Sequence, residues 1–355
     1  MNESSGRARR PTIADVARRA GVSTVTVTRV FDRSARVSPE RERRVREAVE
    51  ELGYFGNGAA SSLVSGRFST VGVIASDTLS FGYAKSLAGI EDAAREARMA
   101  VLISVAEGVE PDLVRSTVAL VLGQSPAGVI VLDYDEIGSA VLAALPAYVP
   151  VVAVSPATGP RVDRPYVAID EYTGGRMAAR HLLDLGHRTI HLVAPPNYGV
   201  ETRTRGVRDE VQEAGAEIGS VVRAREWSSG AGREAMDELL AGSTSPVTAV
   251  FCGNDEIALG VYQSLRAHGL RIPEDVSVVG FDDNPVADFS YPRLTTVDQD
   301  FMLVGRHAFG LLERCIAAFE EEEAEVPAAA AIVPELRVRD STAPPRPGST
   351  PPRSG

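Results

Sequence analysis

Thr12-Ile13-Ala14-Asp15-Val16-Ala17-Arg18-Arg19-Ala20-Gly21-Val22-Ser23-Thr24-Val25-Thr26-Val27-Thr28-Arg29-Val30 decides how the chain begins. Thr12 with Asp15 three residues on forms a capping-box pattern, the shorter acid standing in for Glu. Ile13, Val16, Ala17 and Ala20 then recur at i, i+3, i+4 and i+7, one face of a short helix. Gly21 sits where a helix end wants a residue that accepts positive φ. Ser23 is placed to N-cap a second helix, whose Val27 and Val30 face the first. That leaves Thr24, Val25, Thr28 and Arg29 on the outward side. Two short helices joined by a Gly-containing turn form a helix-turn-helix arrangement, and the outward side of its second helix enters a DNA major groove. The plainer alternative is a small three-helix bundle with no nucleic-acid role.

Ser38-Pro39-Glu40-Arg41 starts a third helix with an N-cap and an N1 proline; Val45, Ala48, Val49 and Leu52 stripe it and Gly53 ends it. With these residues the chain resembles the LacI-type (lactose/galactose repressor) family of bacterial transcription regulators. The pattern is Ile13-Ala14-Asp15-Val16-Ala17, Ala20-Gly21-Val22-Ser23, Val27-Thr28-Arg29-Val30, Val37-Ser38, Leu52-Gly53-Tyr54 and Asn57, and the likeness runs on to about Asp340. It implies domains at 11–56 (helix-turn-helix), 57–69 (hinge helix) and 70–340 (effector binding and dimerisation). Disordered ends are expected at 1–10 and 341–355, the latter because it is rich in Pro, Ser and Gly.

The whole chain of 355 residues has a formal charge of −11, which looks wrong for a DNA binder until it is divided. Residues 1–70 hold 13 Arg/Lys against 8 Asp/Glu, a balance of +5, leaving −16 for the remainder. Phosphate neutralisation is local, so the asymmetry matters more than the total. With 44% hydrophobic and 24% charged residues the composition is that of an ordinary globular protein. Two cysteines, Cys252 and Cys315, provide neither a disulfide framework nor a metal spacing, which fits a reducing cytoplasm. Met1 to Arg10 lacks the apolar run of a signal peptide, and no stretch reaches bilayer-spanning length. No metal or cofactor is expected.

From Val71 the period changes. Short β-branched runs (Val71–Ala75, Val101–Val105, Gly128–Leu132, Val151–Val154) alternate with helical patterns, and a second series opens at Tyr166–Ile169 and continues to Val276–Gly280. Such alternation means parallel sheets covered on both faces. The expected fold is therefore an all-α helix-turn-helix headpiece plus two doubly wound α/β lobes of the periplasmic-binding-protein type. Lobe one spans about 70–166 and 298–327, lobe two about 167–297 and 328–340, with the strand Ile332–Arg339 closing lobe two. Ligands in such lobes sit at the C-terminal ends of the strands.

Candidate DNA contacts follow. Thr24, Val25 and Arg29 are base readers: Arg reaches guanine O6 and N7 bidentately, and Val or a Thr methyl touches a thymine methyl. Thr28 lies on the same side. Thr12, Ser23, Thr26, Ser38 and Asn57 stand at positions resembling the family's phosphate contacts, with Tyr54 in the same pattern. The resemblance implies that Leu63, with Ala60 beside it, wedges into the minor groove from the hinge. The chain departs from the family in having Gly56 where proline is frequent, Gly58 within the hinge, and Asp32 where asparagine is frequent.

Candidate effector contacts come from strand ends: Asp77 with Phe81 beyond it, Asp133, Ser155, Trp227, Asn254 and Asp282. Arg203 stands three before Gly206, as in the family's effector-binding arginine, and Phe301 lies at the lobe crossover. Sugar hydroxyls need paired donors and acceptors, and their C–H faces stack on aromatic rings. Asp255 reads as the N-cap of the helix Glu256–His268. Ser155-Pro156 replaces an aspartate common in relatives. The expected function is a ligand-responsive, sequence-specific transcriptional regulator, a repressor of carbohydrate-use genes acting on a pseudo-palindromic double-stranded DNA operator and released by a sugar. The expected assembly is a homodimer, or a tetramer of paired dimers, with no membrane partner. Alternatives are an activator, a corepressor-dependent regulator with a non-sugar effector such as a nucleobase, and a solute-binding protein. No catalytic motif stands in context.

Overall fold

Thr12 opens the first helix with the reciprocal bonds its spacing predicts: its backbone N–H donates to Asp15 Oδ2 at 2.9 Å, and Asp15 N–H donates to Thr12 Oγ1 at 3.3 Å. The structure is a computed structural model. It describes residues 11–32, 37–53, 69–156, 164–196, 201–321 and 329–346, and divides into two units, Met1–Ser69 and Thr70–Gly355.

In the first unit, α1 (Ile13–Ala20) ends at Gly21 with φ of 67°, α2 (Thr24–Asp32) follows, and α3 (Pro39–Leu52) ends at Gly53 with φ of 58°. Ser23 Oγ accepts the Thr26 N–H at 3.2 Å, capping α2. Val16, Val27 and Val45 are fully buried, with Ala17, Ala20 and Ala48 filling the gaps between them. Small side chains let three short helices approach closely, and packing, not propensity, keeps them helical. The expected hinge at 57–69 and the candidates Tyr54, Asn57, Ala60 and Leu63 lie outside the described residues.

The second unit runs β1 (Thr70–Ala75), α4 (Phe81–Glu96), β2 (Ala100–Val105), α5 (Pro111–Leu122), β3 (Gly128–Leu132), α6 (Glu136–Ala144), β4 (Val151–Ser155), β5 (Tyr166–Ile169) and α7 (Glu171–Asp184). It continues with β6 (Thr189–Ala194), α8 (Thr202–Glu213), β7 (Glu217–Arg223), α9 (Ser229–Gly242), β8 (Ala249–Cys252), α10 (Asp255–Ala267), β9 (Ser277–Val279) and α11 (Val286–Phe289). β10 (Thr296–Asp298), α12 (Phe301–Glu320), β11 (Ala329–Ile332) and β12 (Glu335–Arg337) complete it. A six-stranded parallel sheet, ordered β11-β5-β4-β3-β1-β2, forms lobe one. A four-stranded parallel sheet, ordered β7-β6-β8-β9, forms lobe two. β3 and β4 are buried along their whole length, as continuous apolar runs in a sheet covered on both faces require.

Two expected boundaries differ. β5 belongs to lobe one, pairing with β4, not to the lobe-two series that it seemed to open. The strand expected over 332–339 is two strands in different sheets: Ile332 pairs with Ile169 in lobe one, whereas β12 pairs antiparallel with β10. Pro334 is the reason for the split, since it cannot donate to a ladder and restricts Val333 before it. The chain thus crosses between lobes after β5, around Asp298–Phe301, and around Pro334. The expected tail also begins too early. Ser341 is fully buried in lobe two, its hydroxyl donating to Val278 O at 2.6 Å and accepting the Thr295 N–H at 2.8 Å. His187 Nε2 lies 3.0 Å from Ala343 O, fixing the next turn of chain.

Glycines set the helix crossings beside the site. A Cβ on Gly206 of α8 would run into the Tyr172 carbonyl of α7, and one on Gly175 into the Arg203 carbonyl. The two helices therefore touch backbone to backbone, which fixes where Arg203 emerges.

Candidate nucleic-acid interface and effector cavity

In the first unit three of the four residues expected on the outward side of α2 are exposed. Thr24, Val25 and Arg29 are exposed, Val25 at 57%, an apolar side chain left open among the described residues. Thr28 is half-buried and its hydroxyl donates to Thr24 O at 3.1 Å. Of the expected phosphate donors, Thr12 gives its hydroxyl proton to Asp15 at 2.6 Å, and the Ser23 and Thr26 hydroxyls lie 2.9 Å apart in the α2 cap. Ser38 is exposed and makes no side-chain cap bond to α3.

In the second unit the C-terminal ends of both sheets face a cavity of about 370 Å³, within the range of small-molecule sites. Lobe one contributes Asp77, Phe81, Tyr83, Tyr134, Asp135 and Phe301; lobe two contributes Glu171, Arg203, Trp227, Asn254, Asp255 and Asp282. Each follows a strand or starts a helix, where an open α/β sheet places its ligand groups.

Arg203, in the first turn of α8, is the organising cation. Its Nη1 donates to Gly253 O at 2.7 Å and to Asp282 Oδ1 at 3.3 Å, and its Nη2 donates to Glu171. The guanidinium lies over the Phe281 ring, 4.4 Å from the centroid, and 5.3 Å from that of Trp227. Burial opposes its charge, but Glu171 and Asp282 outweigh burial and hold its pKa above the ordinary value. Asp282 has φ of 101°, a strained backbone for a residue with a side chain. Its N–H donates to Val297 O at 2.8 Å and its carboxylate accepts Gln299 Nε2 at 2.5 Å. Burial pushes its pKa up to about 6, against the pull of Arg203 and with the added push of Glu171.

Asn254, not Asp255, is the N-cap of α10: its Oδ1 accepts the Ile257 N–H at 2.9 Å, leaving the NH₂ end for the cavity. The strict extended backbone of a cap suits residue 254, one earlier than expected. Asp255 is buried instead, accepting from Thr296 Oγ1 at 2.5 Å and from the Asn284 N–H at 2.7 Å. Burial raises its pKa well above the carboxylate range. These bonds tie down the turn that carries Asp282. On the lobe-one wall Asp135 caps α6, accepting the Ile137 and Gly138 N–H groups at 2.9 and 3.0 Å, and also accepts Tyr83 OH at 3.1 Å. Tyr83 and Tyr134 meet edge to face at 4.9 Å, and Phe81 meets Phe301 likewise at 6.0 Å.

Asp77, Phe81, Arg203, Trp227, Asn254, Asp282 and Phe301 therefore meet as expected around one cavity. Asp133 and Ser155 do not line it. Asp133 is fully buried against α6 and accepts the Ser139 hydroxyl at 2.6 Å; Ser155 is buried as the last residue of β4, and Pro156 takes the lining position. A one-residue offset at a strand end exchanges the side chain that faces the cleft. Missed altogether were Tyr83, Tyr134, Asp135, Glu171 and Glu256. Tyr134 and Asp135 lie two and three residues beyond a named strand, and Tyr83, Glu171 and Glu256 lie in first helical turns, a signal that strand-end reasoning could have carried further.

Among the described residues no group of three or more His, Cys, Asp or Glu could hold a metal ion, and no helix is long and apolar enough to cross a membrane. The two units are those of a ligand-sensing regulator: a helix-turn-helix of free outer face and a two-lobed binding body. Residues 12–57 match the family of bacterial regulatory proteins, lacI family, and residues 179–342 the periplasmic binding protein-like domain. The HTH-type transcriptional regulator CelR of Thermobifida fusca is 37% identical over 317 residues, 86% of this chain and 92% of that protein. The HTH-type transcriptional repressor PurR of Haemophilus influenzae is 30% identical over 335 residues, 93% of this chain and 98% of that protein. In structure the chain is similar to the lac repressor dimer bound to operator and the anti-inducer ONPF, with a TM-score of 0.82, 28% identity and coverage of 94% of this chain and 100% of that one. A CelR–cellobiose complex gives 0.68 at 33% identity, with the same coverage. The chain belongs to the LacI family of bacterial transcription regulators.

Proposed function

We propose that the protein is a homodimeric, cytoplasmic repressor of carbohydrate-use genes, released from a pseudo-palindromic operator when a sugar occupies the cavity between its lobes. One observation carries this reading. Arg203, Asp282 and Asn254 offer in-plane donors and acceptors beside the flat faces of Trp227 and Phe301, the combination a sugar ring demands. The CelR–cellobiose complex among similar structures supports it. The DNA contact falls to the outer face of α2, with Arg29 reading a base edge and Leu63 wedging the minor groove. Control requires that the sugar bind one degree of lobe closure more tightly than another.

The test is a gel shift of the full-length protein on its own upstream DNA, repeated with a panel of mono- and disaccharides. A shift that one sugar removes supports the reading. A shift unaffected by every saccharide, or strengthened by one, argues against induced release.

A further inference from the structure

The turn that carries Asp282 is strained at two successive residues. Asp282 has φ of 101° and Asp283 φ of 50°, both in the left-handed half of backbone space that residues with a side chain rarely adopt. Such a conformation persists only where its surroundings over-determine it. Three supports hold this one, each from a different element. The Asp282 N–H donates to Val297 O of β10 at 2.8 Å, and the Asn284 N–H donates to Asp255 Oδ2 of α10 at 2.7 Å. Asp283, between them, is held by Arg339, whose Nη2 lies 2.7 Å from Asp283 Oδ1.

Arg339 follows β12, two residues before Ser341, and only 12% of its side chain is exposed. Its other donors fix the guanidinium in place. Nε donates to Asp288 Oδ1 at 2.7 Å and Nη1 to Leu294 O at 3.0 Å, while the backbone N–H donates to Thr295 Oγ1 at 2.9 Å. One planar fork thus joins both ends of the loop from Asp283 to Leu294, a geometry that lysine lacks. Neither Arg339 nor Asp283 is among the described residues that line the cavity.

We propose that Arg339 is a positioning residue of the effector site. Acting through Asp283, it sets the Asp282 carboxylate against Arg203, so the segment after β12 governs effector affinity without touching the effector. The proposal rests on the reading of the cavity as the effector site. Without Arg339, Asp283 loses its cation and the turn is free to leave its strained conformation. Binding must then also restore that conformation, and the apparent affinity falls with the fraction of molecules that hold it.

The experiment makes two measurements on the full-length chain, on Arg339→Ala, on Asp283→Asn and on the double variant. Asp283→Asn keeps shape and removes only the charge, so it decides the matter if Arg339→Ala does not fold. Hydrogen–deuterium exchange without ligand, read by mass spectrometry, should show peptides covering residues 282–284 exchanging about tenfold faster in both single variants, with those of β6 and β8 unchanged. Calorimetry with cellobiose, glucose, lactose and trehalose should show about tenfold weaker binding, in either single variant, of whichever sugar the unaltered protein takes. The double variant should lose no more than either single one. Unchanged exchange over 282–284 overturns the positioning role, whether or not any sugar binds. Losses that add in the double variant overturn the route through Asp283. Faster exchange with unaltered sugar affinity overturns the link from the turn to the effector. If the unaltered protein takes none of the four sugars while exchange over 282–284 still quickens, the sugar reading fails and the hold of Arg339 on the turn survives it.

Discussion

Arg203 Nη1 reaches Asp282 Oδ1 at 3.3 Å, joining the start of α8 to the turn after β9. Arg203 also holds Glu171 at the start of α7, so one guanidinium ties three separate strand–helix connections at the cavity floor. Lysine cannot fork in this way. Arg203→Lys should keep the fold but weaken sugar binding at least about tenfold, read by calorimetry. Arg203→Ala should cost about 3–5 kcal/mol in urea unfolding, because it leaves buried carboxylates uncompensated. Equal stability of the two variants would contradict the assigned role.

Asp282 gives the cavity a pH signature. Its folded pKa of about 6 stands above its ordinary value, so protonation favours the folded state. Its contribution to stability is full below the ordinary carboxylate range and is lost as pH rises through about 6. Asp255, raised in the same direction by burial, adds to the slope. Urea midpoints measured from pH 4 to pH 7, set beside those of Asp282→Asn, should show a flatter dependence in the variant. A variant curve parallel to the wild type would place the titrating group elsewhere.

The buried end of the chain is testable with one atom. Ser341 Oγ both donates to Val278 O and accepts from Thr295 N, so Ser341→Ala leaves two buried backbone groups short of a partner. The expected loss is about 1–3 kcal/mol in unfolding free energy. No loss would mean that this segment is detached in solution.

Much of this architecture could be read from the chain because its signals are local. Thr12 with Asp15, Gly21 at positive φ, and the buried Val16–Val27–Val45 trio all follow from spacing within a few residues. Asp77, Trp227, Asn254 and Asp282 were found because a polar residue following an apolar strand marks the ligand edge. What escaped depends on how strands pair and how the chain turns at their ends. β5 pairs with β4 on one side and, on the other, with β11, more than a hundred residues later. Asp133 looks like Asp282 in sequence but turns into α6, where the Ser139 hydroxyl meets it. Ser341 sits in a Pro- and Ser-rich run, and only the fold shows that Val278 and Thr295 need its hydroxyl.

On the DNA side, the free outer face of α2 makes a base-specific prediction. Arg29→Ala should relax discrimination at one operator position by about 1–3 kcal/mol while lowering affinity for other variants uniformly. A library of single-base operator changes, scored by gel shift, reads this directly. An unchanged preference at every position would remove Arg29 from base readout.

In the proposed scheme an acidic two-lobed body senses a sugar and so governs a basic helix-turn-helix on DNA. Fluorescence anisotropy on the upstream DNA, with a scrambled duplex of equal composition as reference, reads this coupling when sugar is titrated into the full-length complex. The expected result is specific binding that sugar dissolves and that deletion of residues 1–67 abolishes, while the deleted protein still binds the sugar. Equal affinity for both duplexes, or a complex indifferent to a sugar that demonstrably binds, would contradict it.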